Sequence, residues 1–135
     1  MGDDEIQRIR EEIIKFFVDK SHEPFQPFAA YCKHLDSIWV LVKDCSVTEK
    51  RVNDILTILE DNYPEIEEEK CVGFVIEYAC SFCLKHGLLP QQSVQLSAVL
   101  DAVAQYSPKD TAYMDNIIRP LLKKYSLDSV TIDFN

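Results

Sequence analysis

The chain has 135 residues, 47% of them hydrophobic and 27% charged, which suits one domain spanning 1–135 with its own core and excludes a disordered polymer. A formal net charge of -9 repels phosphate backbones and anionic lipid alike, so neither nucleic acid nor a membrane is the expected partner. A protein with a basic face is the electrostatic complement.

Asp3, Asp4 and Glu5 put negative charge where a helix N-terminus favours it, and Ile6, Ile9, Ile13 and Phe17 recur at helical spacing. This predicts a helix over about 4–20, ended by Ser21-His22-Glu23-Pro24, and so charged an opening does not read as a signal peptide. Beyond the aromatic segment 24–28, the stripe Phe28, Tyr31, Cys32, Leu35, Ile38, Trp39 and Val42 predicts a second helix to about 43. Ser46-Val47-Thr48-Glu49 matches a capping box, and Val52, Ile55, Leu56 and Leu59 supply the inner face of a third helix that Asn62-Tyr63-Pro64 closes.

The most apolar run, Cys71 to Leu84, is broken by Lys70, Gly73, Glu77, Ser81 and Lys85 at intervals of three or four, which on a helix form one narrow stripe. It predicts a central helix at about 64–86, with Glu65, Glu67, Glu68 and Glu69 in its first turns and Lys85-His86-Gly87 as its stop. Pro90 restarts the chain, and Leu96, Val99, Leu100 and Val103 line a fifth helix. Ser107-Pro108 opens a sixth that runs to about Tyr125 and is kinked or split at Pro120. Val130, Ile132 and Phe134 then alternate in an extended tail, 127–135, which must dock, pair with another chain or fray.

The expected fold class is therefore all-α: about six helices in a single bundle, or three stacked helical hairpins at the roughly 40-residue spacing of HEAT repeats, for which the chain carries no repeated residue signature.

Cys80-Ser81-Phe82-Cys83 is a C-x-x-C with His86 one turn on. A zinc site of this kind normally shows a second ligand pair, which the sequence lacks. Redox chemistry wants the first cysteine at a helix N-terminus, and in a helix over 64–86 both cysteines lie near the other end. They read as core, with a metal-binding or thiol-redox protein using Cys80, Cys83 and His86 as the alternative. Five cysteines, an odd number, suit a reducing cytoplasmic setting.

Glu60, Asp61, Glu65, Glu67, Glu68 and Glu69 bracket the turn before the central helix and are the candidate docking patch for a basic partner; a calcium-loop spacing is absent. Gly73, Glu77 and Ser81 are candidates for a groove that takes a partner helix, with Glu77 on a solvent-facing edge. Phe25, Phe28, Trp39 and Phe134 are either aromatic anchors for a partner or, the reading preferred beside prolines, covers for the ends of the core. No nucleophile-elbow, zinc-protease or phosphate-loop motif occurs, so neither a catalytic residue nor a metal or cofactor is assigned. The expectation is a non-enzymatic, acidic helical interaction module (adaptor, inhibitor or immunity-type factor) for a partner with a basic or amphipathic helical surface. Pairing of the tail between two chains would make it a homodimer.

Overall fold

Cys71–Glu77 is a β-strand, not the middle of a helix. An apolar run of this length has no helical or strand period of its own, and what decides is its surroundings. Here neighbours on both sides hydrogen-bond to it and both of its faces are buried, as suits the middle strand of a covered sheet.

The computed structural model describes residues 3–19, 24–88 and 92–134. Helix α1 (Asp3–Asp19) precedes two hairpins, β1 (Phe28–Cys32) with β2 (Ser37–Leu41) and β3 (Val47–Arg51) with β4 (Leu56–Asp61). A 3-10 turn (Glu67–Glu69) leads into β5 (Cys71–Glu77), which inserts between the hairpins to give an antiparallel sheet of order β1-β2-β5-β4-β3. Then come α2 (Ala79–Lys85), β6 (Ser93–Gln95), α3 (Leu96–Tyr106) and a helical stretch over 111–124, and finally β7 (Thr131–Asp133), which pairs with β6. The protein is thus mixed α and β, and the all-α bundle and the stacked hairpins are both overturned. No helix among the described residues is long and apolar enough to cross a membrane.

The errors have a common cause. Strand β2 is buried along its whole length, with Ile38 and Val40 in one apolar cluster and Trp39 and Leu41 in the other. With both faces apolar, a helical stripe can be drawn through residues that alternate. The expected capping box at Ser46 instead opens β3, and the Ser46 hydroxyl accepts a hydrogen bond from Asn62 Nδ2 at 2.7 Å. Asn53 makes the β3–β4 turn, its side-chain oxygen accepting the Ile55 and Leu56 N–H groups at 2.8 Å each.

The helices at 3–19 and 96–106 form where their apolar spacing placed them. The Ser21–Glu23 stop and the Pro90 restart lie outside the described residues. In the last helical stretch, α4 (Thr111–Tyr113) passes through a π turn (Met114–Ile118) into α5 (Arg119–Lys124), with Pro120 in the first turn of α5. Proline has no N–H to give the preceding turn, and a π turn is one way a helix absorbs that defect. The extended tail docks inside the chain: Ile132 is buried opposite Val94, and Phe134 stacks on Tyr31 at 4.4 Å.

The two faces of the sheet differ. One carries Ile38, Val40, Leu56, Ile58, Phe74 and Ile76, packed beneath α2, α3 and the 111–124 stretch. The other carries Trp39, Leu41, Leu59 and Val75, with Ile13 of α1 and Phe25 and Tyr125 packed on them. Gly73 faces the backbone of β2 so closely that a Cβ would stand 2.1 Å from the Val40 carbonyl oxygen. The β4–β5 register shifts beside it, between Leu59 and Glu60.

Candidate functional site

Strand β4 ends at Asp61 and its neighbour β5 begins at Cys71, so the intervening residues form a loop between two inner strands and not the first turns of the expected helix. The 3-10 turn of this loop is tied to α5 through Glu69 and Lys124 at 3.4 Å. Between them lies an open cleft of about 390 Å3, with Val42, Ile66, Val72, Ile117, Leu121 and Tyr125 among its walls. Tyr63 and Ile66 are 84% and 52% exposed, as Tyr78 and Leu84 are elsewhere, and in sequence they lie between the acids of this loop.

The predicted acidic residues do converge here, though not on a helix start. Asp61 is buried and accepts from Lys43 Nζ at 2.6 Å and from the Tyr63 N–H at 3.0 Å. The lysine bond first, then the backbone N–H, hold its carboxyl below the usual range, and the same contact raises the Lys43 amine. Lys124 on α5 reaches Glu69 at 3.4 Å, and Lys70 lies 3.8 Å from Glu60 and 3.3 Å from Glu67. Glu65 and Glu68 line the cleft without a described cation at ion-pair distance. Six acids (60, 61, 65, 67, 68, 69) against three lysines (43, 70, 124) leave the rim negative.

Gly73, Glu77 and Ser81 do not form one stripe. Glu77 is not a solvent-facing edge: it is 7% exposed, on the sheet face beneath α1, where Arg10 pairs with it at 2.8 Å. Ser81 is exposed on α2 and donates to Asp36 Oδ2 at 3.2 Å. Trp39, read as an end cover, is a buried core residue whose Nε1–H donates to Ser37 Oγ at 2.8 Å. Phe25 and Phe28 pack edge to face at 6.1 Å.

The true start of α2 at Ala79 places Cys80 in a first helical turn, contrary to the expectation that both cysteines sit near a C-terminus. That N-terminus is already occupied. Asp36 accepts the Cys80 N–H at 2.7 Å, the Ser81 hydroxyl, and the Tyr31 hydroxyl at 2.7 Å. Burial, then the Asp36 bond, hold the Tyr31 phenol far above its usual range. Cys83 is fully buried, and burial pushes its thiol up to about 11. His86 stacks on Phe82 at 4.3 Å. Among the described residues, no three histidine, cysteine, aspartate or glutamate side chains gather as a metal site.

Sequence reasoning missed Arg10 as a half-buried charge paired to Glu49 and Glu77. Its one signal was position, an arginine between Ile6, Ile9 and Ile13 on the apolar side of the helix.

No family model, curated protein or solved structure matches the chain.

Proposed function

We propose that the protein is a non-enzymatic interaction module, of adaptor or inhibitor type, whose 61–70 loop and adjoining cleft bind a basic segment of another protein. One observation carries this reading: Tyr63 and Ile66 stand exposed in a loop whose six acids, from Glu60 to Glu69, are only partly balanced by Lys43, Lys70 and Lys124. An aliphatic anchor from the partner would enter the cleft against Ile117 and Leu121 while its Lys or Arg residues meet Glu65 and Glu68. Five free thiols support a reducing, cytoplasmic setting for this work.

Panning a random-peptide phage library against the purified chain tests it. Recovered sequences should combine Lys or Arg with one apolar anchor, lose binding to a Glu65→Lys, Glu68→Lys double variant, and weaken on Tyr63→Ala, Ile66→Ala. Peptides without basic residues, or peptides that bind the charge-reversed variant equally well, would sink the proposal.

A further inference from the structure

We infer that the sheet face beneath α1 is a receptor groove for an arginine-bearing amphipathic helix of a partner protein, and that α1 is its resident occupant. The groove is built around a guanidinium socket. One terminal nitrogen of Arg10 meets Glu77 at 2.8 Å and the other meets Glu49, while the guanidinium carbon lies 5.7 Å over the Trp39 ring. Two separate carboxylates and an aromatic face suit a planar fork, and a lysine ammonium cannot serve all three at once. Trp39, Leu59 and Val75 make the apolar floor, and Ile13 of α1 packs on the same cluster.

The described side chains of the resident helix leave space along this groove. Beneath it the floor residues are fully buried, yet none of the side chains described on α1 is. Clefts of about 380, 400 and 300 Å3 run along the helix. Two buried polar atoms there, Arg10 Nε and Thr57 Oγ1, have no hydrogen-bond partner among the described residues. A part-buried, incompletely satisfied ion pair adds selectivity for arginine more than it adds affinity, so a second arginine-bearing helix can compete for the same carboxylates.

Charge selects the occupant. Helix α1 carries six acids (3, 4, 5, 11, 12, 19) against three bases (8, 10, 15) and lies on an acidic molecule. A second copy would bring a further net charge of -9, whereas a basic helix with arginine at the position of Arg10 and isoleucine-like residues around it meets the same floor and the same carboxylates without the repulsion.

The test uses the full chain and two fluorescent 17-residue peptides. Both carry the sequence of residues 3–19 with Glu11 and Glu12 changed to Lys, and one also carries Arg10→Ala. By anisotropy the arginine peptide should bind at least tenfold more tightly than its alanine twin. Its binding should increase amide exchange in the chain's own α1. That preference should collapse on a Glu77→Gln chain and, as a second variant on the other side of the socket, a Glu49→Gln chain. It should persist on the Glu65→Lys, Glu68→Lys chain, which separates this groove from the loop cleft. Equal binding of the two peptides, or α1 amides that stay protected while the peptide binds, would overturn the inference. So would a chain that sediments as a dimer by exchanging α1 with its own copy.

Discussion

The two faces of one sheet are built on different principles. Facing α3 and the 111–124 stretch, Phe74, Ile76, Leu56 and Ile58 are completely buried among Leu96, Leu100, Met114 and Ile118, with no charged side chain in the cluster. Facing α1, an apolar patch is interrupted by Ser37, Thr57 and Glu77, and among its described side chains the covering helix meets it through Ile13 and Arg10. The same strands serve both, since alternate residues of β2, β4 and β5 point opposite ways. Close apolar packing is thereby concentrated on one side and the buried polar groups largely on the other.

Truncations on the two sides should differ several-fold. Phe74→Ala opens a cavity in the closed face and should cost about 3–5 kcal/mol of unfolding free energy in urea. Ile132→Ala removes the buried side chain of the tail strand and should cost about 2–4 kcal/mol. Sedimentation before and after the same change asks whether the tail holds only within its own chain; an unchanged monomer mass says so, and a fall from a dimer to a monomer would point to exchange. On the α1 side, Ile13→Ala trims a half-buried contact and should cost about 1 kcal/mol or less. A cost equal to that of Phe74→Ala would erase the contrast between the faces.

The smallest effect is electrostatic. Asp110, held down by its bonds from Asn53 and Ser107, and Asp61, held down by Lys43, both bind protons less readily when folded. A carboxylate with a lowered folded pKa contributes stability that is full above its unfolded value near about 4 and lost as pH falls through the folded one. Asp110→Asn and Asp61→Asn should therefore flatten the decline of the urea midpoint between about pH 5 and pH 2.

What could be read in the chain follows the same division. Helices over 3–19 and 96–106 have one wet face, so their period survives in the sequence, and the alternation of Val130, Ile132 and Phe134 announced the extended tail. Strands β2 and β5 have no wet face, and their apolar runs were mistaken for helix. The β-branched and aromatic content of Ile38–Val42 and Phe74–Ile76 was the available signal, together with the polar turn at Lys33–Asp36. The acidic residues at 60–69 were legible as a group because they adjoin in sequence. Glu77 was not, because its partner Arg10 lies 67 residues away.

The cap on α2 bears on the order of folding events. A helix of seven residues does not nucleate by itself, and this one has no side-chain cap of its own. Its first turn is completed by Asp36, 44 residues upstream in the β1–β2 turn, so that hairpin must already stand beside β5 when the helix closes. Helix α2 is thus expected to close late, with a rate that follows the pairing of two strands from opposite halves of the chain, which amide exchange pulse-labelled during refolding would check.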